Sequence, residues 1–229
     1  MKMNQLLRNL FIALALIFVF GACEKDNKPA PSAKLTGRVV YQDQAIGLRS
    51  NGVQLELWQH GYQLFTKIPI YVNQDGTFSA SLFDGDYQLV RLKGNGPWVD
   101  NTDTIHVALR GRLELEVPVK PYHRFANVNF SQANKKVSSS FTVEKLDNSK
   151  SLERISLYIG TTVIVDPNNN IAAASIPASE VADLTKPLQL SVNVPTSFQG
   201  RDYVFARLAV KTSGVAEMLF SEPIKIMLN

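Results

Sequence analysis

Apolar side chains recur at every second position along this chain, in short runs, and a period of two places them on one face of an extended strand. Leu113, Leu115 and Val117 alternate with Glu114 and Glu116, while Leu188, Leu190, Val192 and Val194 alternate with Gln189, Ser191 and Asn193. The same pattern covers Leu35 to Tyr41, Val53 to Gln59, Ile105 to Leu109, Ile155 to Ile159, Val204 to Val210 and Ile224 to Leu228. Turn-forming clusters separate these runs, among them Asn51-Gly52, Asp75-Gly76, Asp84-Gly85, Gly94-Asn95-Gly96-Pro97 and Pro167 to Asn170. Past residue 22 no segment of 12 residues keeps a clean helical apolar face. The expected fold is therefore all-β, and 229 residues suffice for two tandem antiparallel sandwiches of about 100 residues each. Prolines 118 and 121 close a strand ladder and mark the boundary, which assigns residues 34–121 to the first sandwich and 122–229 to the second.

The N-terminal end follows a different logic. Lys2 and Arg8 form a short basic region, and Leu10 to Phe20 (LFIALALIFVF) is an apolar run of signal-peptide length, short for a membrane span. Gly21 and Ala22 then precede Cys23, the only cysteine. This resembles the lipobox of bacterial lipoproteins, in which the signal is cut before a cysteine whose thiol receives a diacylglycerol. The chemistry suits a lone cysteine: a thiolate is a strong nucleophile for thioether formation, and one cysteine cannot form an intrachain disulfide. Residues 1–22 are expected to be removed, and residues 23–33, with Pro29 and Pro31, to form an extended lipidated tether. The polar and acidic residues after Cys23 resemble the export tag of Bacteroidetes surface lipoproteins. That resemblance implies lipid anchoring in the outer membrane, facing the cell exterior.

Loss of Lys2 and Arg8 lowers Lys plus Arg from 24 to 22 against 20 acidic residues. With no basic cluster longer than Lys135-Lys136, nucleic acid is not an expected partner. Nor does the chain carry a catalytic constellation. His60, His106 and His123 are scattered over a turn, the polar side of a strand and the domain junction, and are expected at the surface. No H-E-x-x-H, G-x-S-x-G or zinc-ligand spacing occurs. Asp75, Asp84, Asp86, Asp100 and Asp103 offer hard oxygen donors near loops, but Asp-Gly turns already explain such residues, and no D-x-D-x-D spacing accompanies them. The expectation is no enzyme activity, no metal and no cofactor.

Leu35-Thr36-Gly37-Arg38-Val39-Val40, the turn Asn73-Gln74-Asp75-Gly76-Thr77-Phe78 and the start Gly85-Asp86-Tyr87 resemble the transthyretin-like, carboxypeptidase-regulatory-type sandwich. Gly76 and Gly85 are expected to take positive φ, and Phe78 and Tyr87 to brace neighbouring strands. The Tyr-Arg-Gly-Ser motif of transthyretin-fold hydrolases is absent. With the Gly96-Pro97-Trp98 loop, Asp103-Thr104 and Pro121-Tyr122, the whole chain resembles a Bacteroidetes lipoprotein family with this domain followed by an immunoglobulin or fibronectin-III-like one. The resemblance implies a non-catalytic binding or assembly module, accessory to glycan capture, with outer-membrane uptake proteins as partners. A spacer that positions a partner protein, and a hydrolase with an unrecognised site, stay open as alternatives.

Strand parity points to candidate contact residues. Val53, Leu55 and Leu57 form one apolar set, so Trp58 shares the other face with Gln54 and Glu56, and Trp98 lies in a Gly/Asn/Pro loop. Exposed rings are natural platforms for the C–H face of a sugar, though rings also cap sandwich edges. In the second domain, Ile155, Leu157 and Ile159 face one way and Tyr158 the other. Val204, Ala206, Leu208 and Val210 likewise leave Tyr203, Phe205 and Arg207 outward. As the third and sixth strands of their domain these would lie side by side and form one patch. Its expected cover is the first domain or a second protein, with the domain's own loops as the remaining possibility.

Overall fold

The structure, a computed structural model, describes residues 29–61 and 65–228. The expected signal peptide and Cys23 lie outside the described residues. From Ser32 onward the chain makes one compact unit, built almost wholly of strands.

In the first domain β1 (Ala33–Tyr41) is the hub of one sheet. It pairs antiparallel with β5 (Thr77–Leu82) and with the two-residue β2 (Gln44–Ala45). On its other side it pairs with β8 (Arg112–Pro118), and this pairing is parallel, against the expectation of purely antiparallel sheets. The reason is topological: β8 closes the domain after a crossover from the opposing sheet and enters beside β1 in the same direction. That sheet runs β4-β3-β6-β7: β3 (Gln54–Trp58), β4 (Ile68–Tyr71), β6 (Gly85–Arg91) and β7 (Ile105–Leu109).

The alternating positions of these strands meet in one core, with Leu35, Leu55, Leu57, Leu89, Val107 and Val117 fully buried. Each such side chain contributes about 1.5–3 kcal/mol by leaving water. Gly37 sits where β1 passes between Phe78 and Leu115; a Cβ there would lie 2.1 Å from the Leu115 carbonyl oxygen and 2.5 Å from the Phe78 ring. Gly76 takes φ 80° as its turn requires, but Gly85 does not take positive φ, because it already belongs to the extended β6. Tyr87 is buried and donates its hydroxyl to the Phe83 carbonyl at 2.9 Å, across the turn that opens its own strand.

The second domain packs β9 (His123–Ala133), β10 (Lys136–Lys145) and β13 (Leu188–Asn193) against a larger sheet. That sheet contains β12 (Ala172–Pro177), β11 (Leu152–Gly160) and β14 (Tyr203–Thr212), with β15 (Leu219–Phe220) and β16 (Ile224–Met227) following one another along the outer edge of β14. β11 and β14 are the third and sixth strands of the domain and pair antiparallel, with Tyr158 opposite Arg207 and Gly160 opposite Phe205. Ile155, Leu157, Val204 and Leu208 fill a core separate from that of the first domain. His123, expected at the surface, is 1% exposed: as the first residue of β9 it points its ring at Thr212 of β14.

Candidate functional site

Trp58 ends β3 on the outward face of its sheet, as parity requires, and is half-buried. Its ring lies 5.0 Å from that of Phe65, which in turn stacks on His60 at 4.8 Å with 27° between planes. Phe65 is 51% exposed, so the three rings form an open ledge rather than a buried plug. A buried carboxylate holds the Trp58 ring. Glu56, on the same face, accepts from the Trp58 indole Nε1 at 3.3 Å and from Lys67 Nζ at 2.6 Å. Parity had grouped Glu56 with solvent-facing side chains, but the indole and the Lys67 stem close over it. Register places Gln88 of β6 beside Trp58 and His106 of β7 beside Gln88, and Thr104 borders the ledge. Rings, an amide and a hydroxyl thus line a shallow surface of about 470 Å³.

Trp98 is corrected. It is 3% exposed and belongs to the first-domain core, because its loop folds back in a bridge to Pro121 that carries the indole inward. Tyr158 and Arg207 are likewise no open surface, at 6% and 1% exposure. The parity is right, and the face is covered, as its patch of rings required. Val165 and Met218 from loops of the same domain, with Phe220 of β15, pack with Tyr158 and Ala209 over the outward face of β11 and β14, and Phe205 rests half-buried at their margin. Tyr203 is half-buried and meets Phe205 edge-on at 5.8 Å.

Arg207 is covered by the first domain. Its Nη2 donates to the Gln74 carbonyl and its Nε to the Ser221 carbonyl, both at 2.8 Å, and its guanidinium lies 4.5 Å from the Phe220 ring centroid. Burial lowers its pKa to about 10, so it stays charged at neutral pH. Further links join the domains. Phe220 N donates to Gly47 O at 2.9 Å in a single antiparallel bridge, and Arg49 forks onto Glu217 at 2.5 and 3.1 Å.

Beside these links a groove of about 660 Å³ opens between the domains. One wall is the turn around β2, the other β9 together with the segment that leads into β16. Of the aspartates near loops, Asp75 accepts from Thr77, Asp84 from Gly111 N and Asp100 from Gly94 N, while Asp86 pairs with Arg110.

Residues 33–120 match the N-terminal domain of DUF3823, a protein family of unknown function, and residues 123–225 match the C-terminal DUF3823 domain. The chain belongs to the DUF3823 family. It is similar to a solved DUF3823 protein of Bacteroides ovatus, at 34% identity and TM-score 0.80, covering 86% of this chain and 100% of that one. A DUF3823 structure from Parabacteroides merdae is similar at 33% identity and TM-score 0.79 over the same shares. A Bacteroides uniformis structure described as a "putative carbohydrate binding protein" shares the fold at TM-score 0.71 and 16% identity, again over 86% and 100%. No curated protein matches the chain.

In this DUF3823 chain parity put Trp58 on the outward face but gave no sign of Phe65, of His60 as its partner, or of the groove. The two rings lie in a β3–β4 connection without periodicity, so no pattern tied them to Trp58. The groove joins residues 41–47 to residues 121–130 and 219–226, and only tertiary packing brings such distant segments together.

Proposed function

We propose that this DUF3823 protein is a lipid-anchored, surface-facing, non-catalytic module that binds glycans for uptake. The observation that carries the reading is the Trp58–Phe65–His60 ledge: two stacked, exposed rings against a half-buried indole that a buried carboxylate holds, beside an amide and a hydroxyl. Apolar ring faces suit the C–H face of a pyranose, amides suit its hydroxyls, and a ring already fixed loses little entropy on binding. The description of the Bacteroides uniformis relative supports the same direction. The first sandwich is read as transthyretin-like, supported by its Gly37, Asp75-Gly76 and Gly85-Asp86-Tyr87 elements. The second is read as immunoglobulin or fibronectin-III-like, supported by the pairing of its third and sixth strands.

Calorimetry of the mature protein against an oligosaccharide panel tests the function. Binding should occur without product formation, and Trp58→Ala should weaken it at least tenfold, about 1.4 kcal/mol. Turnover of any oligosaccharide would reverse the non-catalytic assignment. A spacer role is the second reading, favoured by the buried Arg207 and the Arg49–Glu217 fork that lock the domains together. Absence of binding across the panel would select it.

A further inference from the structure

We propose that the groove between the two sandwiches is a second saccharide site, selective for uncharged oligosaccharides. The inference rests on the glycan-binding reading above but on a different set of residues. A volume of about 660 Å³ at a domain interface is that of an ordinary small-molecule site, for which the range is about 300–1,000 Å³.

The floor is apolar for a structural reason. β9 runs for 11 residues, whereas β16 has four, so Val128 and Phe130 turn toward the core without being fully covered. Around that floor stand three planar polar groups on exposed side chains: Gln44 from the first domain, Asn129 and Glu222 from the second. An apolar floor with amides and a carboxylate at the rim matches a ligand that has one C–H face and a periphery of hydroxyls. The walls are also held at fixed separation, because the Gly47–Phe220 bridge and the Arg207 contacts to Gln74 and Ser221 lie beside the groove. Little ordering is then left to occur on binding.

Charge sets the ligand class. Arg124 donates to Glu144 at 2.6 Å and to Gln42 at 3.1 Å while covering the Tyr41 ring, and Lys225 lies 3.9 Å over the Tyr203 ring. The Glu144 carboxylate offsets Arg124, whereas Lys225 keeps its full charge over the Tyr203 ring. Among the described residues Glu222 has no ion pair, and its carboxylate would repel an acidic sugar while accepting from neutral hydroxyls. Lys225 and Glu222 then balance, and a groove without net charge favours a neutral ligand over an acidic one.

The two sites can be separated, because the groove contains no tryptophan while the ledge is built on one. The probes are neutral hexasaccharides of glucose, mannose, xylose and galactose, with hexagalacturonate as the acidic counterpart. For a neutral hexasaccharide that binds, calorimetry should give a stoichiometry of two, and Trp58→Ala should reduce it to one. Adding Asn129→Ala and Glu222→Ala to that variant should weaken the remaining event at least tenfold with the melting temperature unchanged, since both side chains are exposed. Hexagalacturonate should not occupy the groove. A wild-type stoichiometry of one that Trp58→Ala abolishes overturns the groove proposal and leaves the ledge standing. So does an unaltered remaining event in the triple variant, or hexagalacturonate binding there. If no hexasaccharide binds the wild type, the glycan reading falls and this inference with it.

Discussion

Two buried cationic-type side chains show how the environment, rather than residue type, decides chemistry here. Arg207 keeps its charge because carbonyl oxygens and a ring face receive the guanidinium. His123 gives its charge up. Its Nδ1 meets Thr212 Oγ1 at 2.9 Å, its Nε2 is buried without a partner, and burial, reinforced by Lys145, lowers its pKa from 6.5 to about 4. Between those values the unfolded chain binds a proton that the native chain refuses, so stability falls as pH drops from about 6.5 toward 4. Melting temperatures between pH 7 and 4.5 should therefore decline. In His123→Leu they should start lower, for want of the Thr212 contact, but decline less. An equal slope in both proteins would assign the acid sensitivity elsewhere.

At the scale of elements, strands with strict alternation were legible because one of their faces meets a core and the other meets water. β11 and β14 were read with the right parity. β9 and β10 were not picked out, although they are among the longest strands, since Ser138, Ser139 and Ser140 interrupt the apolar pattern and Asn127 takes φ 54° at a bulge. The hub strand β1 carries the most exacting constraint. A side chain at Gly37 would collide with the backbone of β8, which cannot withdraw without losing the parallel ladder. Gly37→Ala should cost about 3 kcal/mol, an overpacking penalty, by urea denaturation. A cost below 0.5 kcal/mol would mean that β1 and β8 separate more easily than their register implies.

For the whole molecule, two cores joined by a buried cation and a charge fork make a rigid pair, and the anchoring proposal gives that pair a place to act. If Cys23 carries the lipid, Cys23→Ala should incorporate no palmitate analogue in metabolic labelling and should leave the membrane fraction or persist as uncut precursor. Equal label in both proteins would sink the lipoprotein reading. Alternation, turn chemistry and the proline pair were local properties, and they were enough to define an all-β chain of two sandwiches, because a period of two admits one way of dividing core from solvent. They also put Trp58 on the outward face. They could not say that Trp98 folds inward, which of the expected covers meets the Tyr158 and Arg207 face, or that Phe65 joins Trp58. Each of those outcomes depends on a loop meeting a surface far away in the chain, and such a meeting is fixed by packing and desolvation in three dimensions, for which a single strand's pattern carries no record.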